Sequence, residues 1–169
     1  MEITLDLLLA SRDARWQHQQ DLLLQHPDMT LVCLTVVMPG KVKRNDQSLI
    51  VARAAVEALK VEFGNEAVSI EERDLQTGFE AYLLCTAEML DAKRRVCHIE
   101  ETHPLGRLFD LDVIRTDGTP VSRTEIGLPQ RKCIICGEEA RYCMRNHTHS
   151  QEELQAHITK LIDDYVHRV

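Results

Sequence analysis

The stretch Leu31–Met38, LVCLTVVM, decides the fold. It is an almost unbroken apolar run rich in valine, which is typical of a strand buried on both faces of a sheet. Pro27 precedes the run, and Pro39-Gly40 follows it as a turn signal. The sequence therefore predicts a central strand here, and the segments on either side of it determine the fold class.

Downstream of this strand, the spacing of apolar residues alternates between strand and helix periods. Asp46 is the predicted cap of the next helix, and Asp117-Gly118 predicts a type I′ hairpin. The order suggests an α+β fold with a mostly antiparallel or mixed sheet and helices on one side, and a ferredoxin-like core is the simplest topology. The predicted elements are a helix over residues 46–63, strands over 67–75 and 79–86, a helix over 87–101, and strands over 107–115 and 121–126.

Two terminal helices complete the prediction. Apolar residues near helical spacing predict the first helix, which Pro27 ends, and Ser150 with Glu153 forms a capping box for the last. A length of 169 residues favours one domain. The expected organisation is a single domain, 1–169, made of an N-terminal helix (1–26), an α/β core (27–127), and a small Cys-rich module with a C-terminal helix (128–169).

Composition narrows the possible partners and the compartment. Asp and Glu total 27 against 20 Lys and Arg, a net charge of −7, which argues against binding a nucleic acid polymer. No apolar run approaches the roughly 18 residues needed to span a membrane. The first apolar run ends at Ala10 and lacks a basic leader. We therefore expect a cytoplasmic protein with no membrane partner and with reduced cysteines.

A pair of aspartates in the strand predicted over 107–115 is the strongest sign of chemistry. Strand alternation places Asp110 and Asp112 on one face, together with Leu108. Alternate residues lie about 6.6 Å apart, so both carboxylates can reach one divalent cation, and Mg²⁺ prefers oxygen ligands. The alternative is an exposed strand face with neighbouring ion pairs.

Residues next to this pair have side chains suited to phosphate chemistry. Arg107 and Arg115 bracket the aspartates and are able to hold phosphate oxygens. Gly106 would let a phosphate approach the backbone closely. His103, in a His-Pro-Leu-Gly turn, is a candidate for proton transfer, with a solvated loop histidine as the alternative.

Two basic segments lie closer to the N-terminus. SRDAR, residues 11–15, interrupts the apolar pattern of the first helix, and its Arg12 and Arg15 suit an anion-binding patch. Lys41, Lys43 and Arg44 form a basic loop that could dock phosphates or an acidic carrier protein. A solvated helix face and a solvated loop are the alternatives.

A cluster of cysteines near the C-terminus has the spacing of a metal site. Cys133 and Cys136 form a Cys-x₂-Cys knuckle, followed by Cys143 and His149, with His147 as the other possible fourth ligand. Structural zinc takes four Cys or His ligands in tetrahedral geometry. The alternatives are three reduced thiols or a redox pair. The isolated cysteines Cys33, Cys85 and Cys97 are expected to fill the core.

Four sequence blocks, in order, carry a resemblance to a known family. They are SRDAR (11–15), TVVMPG (35–40), HPLGRLFDLDV (103–113) and LPQRKCIIC (128–136), the last followed by a cysteine and a histidine. Together they resemble the apo-citrate lyase phosphoribosyl-dephospho-CoA transferases, also called citrate lyase holo-acyl carrier protein synthases. The resemblance covers nearly the whole chain.

This resemblance implies a nucleotidyltransferase-type reaction. A prosthetic-group precursor would pass from triphosphoribosyl-dephospho-CoA to a serine of the citrate lyase acyl carrier subunit, with release of pyrophosphate. Asp110 and Asp112 would hold Mg²⁺ and His103 would assist. The arginines expected to bind the polyphosphate are Arg107, Arg12, Arg15 and Arg115.

Two other functions remain open at this point. One is a non-catalytic, zinc-stabilised assembly module for citrate lyase, for which the Cys/His cluster and the last helix argue. The other is a Mg²⁺-dependent nucleotide phosphohydrolase, which would use the same aspartates with water as the nucleophile.

Overall fold

The structure, a computed structural model, describes residues 1–168, so Val169 at the end of the predicted C-terminal module lies outside it. Within the described residues, the chain forms four strands and five α-helices. The strands are β1 (Thr30–Val36), β2 (Ala67–Leu75), β3 (Gly78–Cys85) and β4 (Phe109–Ile114). The helices are α1 (Leu5–Gln25), α2 (Asp46–Phe63), α3 (Met89–Thr102), α4 (Ala140–Asn146) and α5 (Gln151–Val166).

The sheet has the order β2-β3-β1-β4, and every neighbouring pair of strands is antiparallel. Helix α2 connects β1 to β2, and α3 connects β3 to β4. This is the predicted ferredoxin-like arrangement of two interlocked strand–helix–strand units. The prediction of a central strand is confirmed, because β1 pairs on both sides and residues 31–34 are buried.

The sheet packs on both faces. Helices α2, α3 and α5 cover one face, where Val32 and Leu34 join the main core. The first helix covers the opposite face, where Leu23 packs against Leu31 and Tyr82. Because successive strand residues point to opposite faces, β1 contributes to both layers. The helices that connect the strands therefore lie on one side, and α1 encloses the other.

The ends of the helices follow local capping chemistry. Pro27 lies just beyond α1, as predicted. The cap of α2 is Asn45 rather than Asp46, since the Asn45 side chain accepts the Ser48 backbone N–H at 2.8 Å. The capping box predicted at Ser150 is confirmed.

The prediction of a strand over residues 121–126 is wrong. After β4, the chain makes a single bridge between Ile114 and Pro120, and the proline nitrogen has no hydrogen to donate to a longer ladder. Ser122 then opens a capping box, and Arg123–Ile126 forms a 3₁₀ turn.

The turn before that segment also differs from the prediction. A type I′ turn needs a positive φ at both central residues. Within the described chain His147 is the one non-glycine residue with a positive φ, so Asp117 does not meet this need although Gly118 does, at +86°.

The strand predicted from Arg107 begins later, at Phe109. Gly106–Leu108 forms a 3₁₀ turn, and Leu108 is fully buried in the main core. Strand alternation therefore starts at Phe109, and the placement of Leu108 beside the aspartates is wrong. Among residues 1–168, no helix combines the length and the apolar character needed to cross a bilayer.

Candidate functional site

Acidic side chains of β3 and β4 lie on the face of the sheet that α1 covers, and we call the surface formed by Glu80, Asp110 and Asp112 the carboxylate face. Thr35 of β1 lies opposite Glu80 on one side and opposite Asp110 on the other. The Thr35 hydroxyl donates to Asp110 Oδ2 at 3.3 Å. Asp110 and Asp112 share one face of β4, as predicted, and each side chain keeps about half of its accessible surface, 50% and 45%.

Helix α1 brings basic and polar groups to this face. Arg15 Nη1 lies 3.4 Å from Glu80 Oε1, and the Tyr82 hydroxyl donates to the other oxygen of Glu80 at 2.6 Å. Gln19 donates to Cys33 Sγ at 3.2 Å. The SRDAR segment therefore lies beside the carboxylates, although 95 residues separate Arg15 from Asp110.

The electrostatics of the pair single out Asp112. Burial, together with the negative charge of Asp110, raises the pKa of Asp112 to about 6. Solvent still reaches the carboxylate, because 45% of the side chain is accessible. A group that titrates near neutral pH beside a second carboxylate is suited to bind a cation or exchange a proton.

A buried lysine also points toward this pair. Lys93 on α3 has only 6% of its side chain exposed, and its Nζ lies 3.9 Å from Asp112 Oδ1. Since α3 packs on the opposite face of the sheet, the lysine reaches around β4, which is an edge strand. Its positive charge lowers the pKa of Asp112 and partly offsets the effect of burial.

The predicted phosphate ligands Gly106 and Arg107 lie in the 3₁₀ turn before β4. Gly106 is buried, and a Cβ atom there would lie 2.5 Å from the Glu100 carbonyl oxygen and 2.6 Å from that of Ile99. The glycine therefore has a packing role. Arg107 donates to the Lys132 carbonyl, and burial together with nearby Arg131 lowers its pKa.

The structure separates His103 from the aspartates. Its Nδ1 accepts the Leu105 backbone N–H at 3.0 Å, and its ring lies 4.9 Å from Phe109 and 5.7 Å from Tyr165. Phe109 belongs to the main core, on the face away from Asp110. Burial lowers the pKa of His103 and so favours the neutral form of its ring.

The two remaining predicted phosphate ligands lie at the edges of this region. Arg115, just after β4, forms an ion pair with Glu125. Arg12 is exposed on α1, where its positive charge adds to burial in lowering the pKa of Lys43. Arg12, Arg15 and Lys43 therefore supply positive charge at the end of the sheet that carries Glu80.

The predicted metal ligands come together near the C-terminus. One ligand atom from each of Cys133, Cys136, Cys143 and His149 lies within 4.8 Å of all the others, and we call this group the Cys₃His centre. Cys136 Sγ lies 3.4 Å from both Cys143 Sγ and His149 Nε2. With Zn–S bonds of about 2.3 Å, tetrahedral ligand atoms lie about 3.8 Å apart, so the group can hold a metal such as zinc.

His149, rather than the alternative His147, completes the centre. His147 ends α4 with a φ of +46° and is exposed. Although burial opposes ionisation of Cys133, the backbone N–H groups of Cys136 and Ile135 stabilise its thiolate and lower its pKa to about 7. Thiolates are the form that binds metals.

Comparison with known proteins identifies the family. The model of the family described as apo-citrate lyase phosphoribosyl-dephospho-CoA transferase matches residues 3–165. The chain belongs to this transferase family. A Vibrio cholerae relative named "probable apo-citrate lyase phosphoribosyl-dephospho-CoA transferase" is 39% identical, over 98% of this chain and 94% of the relative.

Relatives from other bacteria agree with this assignment. A Streptococcus pyogenes protein with the same printed name is 34% identical, over 98% of this chain and 88% of its own length. An Escherichia coli apo-citrate lyase phosphoribosyl-dephospho-CoA transferase is 33% identical, over 96% of this chain and 90% of its own length. The chain is therefore an enzyme of the transferase class, and the resemblance seen in the four sequence blocks is confirmed.

Three residues of this transferase that surround the carboxylates were not predicted. Glu80 interrupts the apolar run 79–86, and Lys93 lies on the apolar stripe of α3. In both cases a charged residue at a position predicted to be buried could have indicated the site. Arg131 reaches Asp110 from a segment without regular periodicity, its Nη1 lying 3.8 Å from Oδ1. No local pattern marks that contact.

Proposed function

We propose that this transferase attaches the prosthetic-group precursor of triphosphoribosyl-dephospho-CoA to a serine of the acyl carrier subunit of apo-citrate lyase and releases pyrophosphate. Family membership over residues 3–165 is the observation that carries the proposal. The reaction needs a site that binds polyphosphate and offsets its charge, and the carboxylate face with the arginines of α1 has that composition.

In the proposed reaction, the serine oxygen attacks the phosphorus atom that bears the pyrophosphate leaving group. The new P–O bond forms a phosphodiester as the bond to pyrophosphate breaks, and the serine proton passes to solvent at the half-exposed carboxylates. Catalysis of this kind depends mainly on positioning and on stabilising charge. Arg15 and Arg12 would hold the polyphosphate, and Lys43 would add positive charge at the same end of the sheet.

A magnesium ion at Asp110 and Asp112 is part of the proposal. The donor set fits this ion, because both groups are half-exposed oxygen ligands and the pKa of Asp112 is raised partly by Asp110. When bound, the ion supplies charge neutralisation on phosphate oxygens. His103 has no part in the proposed reaction, because its ring packs on the other side of β4.

A structural zinc ion at the Cys₃His centre and a cytoplasmic location complete the proposal. Structural zinc sites use four protein ligands and leave no open position, which matches three thiols and one imidazole. All six cysteines are free thiols in the structure, and a reducing compartment would keep them available for metal.

The test combines purified chain, Mg²⁺, triphosphoribosyl-dephospho-CoA and apo carrier subunit, and measures the intact mass of the carrier together with released pyrophosphate. We expect a mass gain equal to the prosthetic group and an equal amount of pyrophosphate. Pyrophosphate release without carrier would instead indicate the phosphohydrolase. A carrier of unchanged mass and no pyrophosphate would indicate the non-catalytic assembly module.

The aspartates are tested in the same assay with a matched control. Asp110→Asn and Asp112→Asn are expected to lower the labelling rate by about 100-fold or more, since charge stabilisation dominates such transfers. Asp163→Asn changes an exposed aspartate of α5 and should leave the rate unchanged. Wild-type rates in both β4 variants would contradict a role for the carboxylate pair.

A further inference from the structure

The strand that carries the aspartates is held along its outer edge by side chains. β4 pairs with a strand, β1, on one side only; the backbone of residues 119–121 bonds to its C-terminal end, and the outer backbone groups nearer Asp110 need other partners. Glu100, which is buried, accepts the Leu111 N–H at 2.9 Å. Arg131 Nη2 donates to the Phe109 carbonyl at 2.8 Å. Asp110 thus lies between two residues whose backbone is anchored from outside the sheet.

Arg131 contacts the turn before β4 and the side chain of Asp110 as well as the Phe109 carbonyl. The same nitrogen also lies 3.0 Å from the Arg107 carbonyl and 3.1 Å from the Gly106 carbonyl, so it holds the turn that leads into β4. Its other terminal nitrogen lies 3.8 Å from Asp110 Oδ1. One planar guanidinium therefore fixes both the backbone before Asp110 and the charge beside its carboxylate.

The backbone of Arg131 is in turn tied to the Cys₃His centre. Its carbonyl accepts the Ala140 N–H at 2.9 Å, at the start of α4, and Cys133 N–H donates to the Glu138 carbonyl at 2.7 Å. These bonds close a small loop that contains Cys133 and Cys136 and leads to the helix of Cys143. A metal ion held by four ligands would fix this loop, and with it the position from which Arg131 extends.

We propose that Arg131 is a positioning residue that links the Cys₃His centre to Asp110. Metal binding at that centre, whose first ligand lies about 20 residues after Asp110, would thereby reduce the mobility of β4. The contacts form a continuous series. The metal ligands fix the loop backbone, the loop backbone positions Arg131, and the Arg131 guanidinium donates to carbonyls of residues 106–109. The catalytic consequence of this link rests on the proposed transferase function, whereas the ordering of β4 does not.

The experiment measures backbone amide hydrogen exchange by mass spectrometry in peptides covering residues 106–114. It compares zinc-loaded wild type, wild type after chelation, zinc-loaded Arg131→Met, and zinc-loaded Arg141→Met. Arg141 is an exposed arginine of α4 with no ion pair among the described residues, so it is the matched control. Metal content per chain is measured for each sample, and peptides covering residues 31–34 report whether the central strand stays folded.

We expect exchange in 106–114 to become about 10-fold faster after chelation and in Arg131→Met, with the central strand unchanged. Arg131→Met should retain its zinc, and Arg141→Met should match wild type. Should Arg131→Met fail to fold, Arg131→Lys replaces it, since a lysine has one terminal nitrogen and cannot hold both the carbonyls and Asp110.

Three outcomes would overturn the link: wild-type exchange in 106–114 after chelation, wild-type exchange in the Arg131 variant, or purified protein that binds no zinc. The labelling assay gives a second readout, in which the Arg131 variant should lose about 10- to 100-fold in kcat while keeping its metal. If wild type transfers nothing, the proposed function fails while the exchange result still decides the link.

Discussion

Replacing Gly106 by alanine separates two explanations of the same glycine. The sequence suggested that Gly106 lets a phosphate approach, whereas the structure places it against the C-terminal end of α3. An added Cβ would lie 2.5 Å from the Glu100 carbonyl oxygen, 2.6 Å from that of Ile99 and 2.8 Å from the Glu100 carbonyl carbon. All three atoms belong to the backbone, so none can rotate away.

The size of the effect follows from these distances. Ordinary contacts to a Cβ start near 3.4 Å, so the turn and the helix end must separate by roughly 0.5 to 1 Å. Overpacking of this kind costs about 1–3 kcal/mol. For a protein of this size each kcal/mol corresponds to about 2–4 °C, so we expect Gly106→Ala to lower the Tm by about 2–12 °C.

The assay is thermal and urea unfolding of Gly106→Ala beside Gly137→Ala. Gly137 has no atom within 4 Å of an added Cβ, so its substitution should change stability by less than about 0.5 kcal/mol. A Gly106→Ala protein as stable as wild type, with a raised KM for triphosphoribosyl-dephospho-CoA, would refute the packing explanation and restore the phosphate one.

Three more predictions concern charge and metal. Folding raises the pKa of Asp112 from 3.8 to about 6, so ionisation of this carboxyl lowers the free energy of unfolding as the pH rises from about 4 to 6. Asp112→Asn should therefore be more stable than wild type at pH 7.5, by about 1 kcal/mol after allowing for solvent exposure. Near pH 3.5 the two proteins should be equally stable, and urea unfolding measures both differences. Arg123→Met removes the main partner of buried Glu100 and should cost about 3 kcal/mol, whereas Arg145→Met on exposed α4 should cost almost nothing, in the same measurement. Cys136→Ser should lose zinc by elemental analysis and lower the Tm by about 5 °C or more, and an unchanged Tm with zinc absent would show that the metal does not support the fold.

Local patterns predicted the parts of the molecule that depend on local chemistry. LVCLTVVM marked the central strand because a strand between two neighbours is buried on both faces. Alternation placed Asp110 and Asp112 together, and the Cys-x₂-Cys spacing marked the Cys₃His centre. Each of these inferences needs only residues close in sequence.

The failures arise where distant contacts decide the outcome. The segment 121–126 was predicted as a strand because it follows the Asp117-Gly118 turn signal, but Pro120 before it cannot donate to a ladder and Ser122 caps a turn instead. Lys93 and Arg131 reach the aspartates from α3 and from the Cys-rich segment, and sequence spacing contains no information on either approach. His103 was grouped with Asp110 by proximity in sequence, but its ring packs against Phe109, whose side chain lies on the opposite face of the sheet from Asp110.

The edges of the sheet have a consequence for the protein at high concentration. An unpaired strand edge can recruit an edge from another molecule and start aggregation. Here Glu100 and Arg131 occupy backbone groups of β4 that such a strand would use, while β2 at the other edge has a break in register between Ala67 and Ser69 and four consecutive charged residues over 71–74. The side chains that hold the aspartates in place therefore also keep neighbouring molecules apart, and a chain that loses them risks polymerising through the same strand.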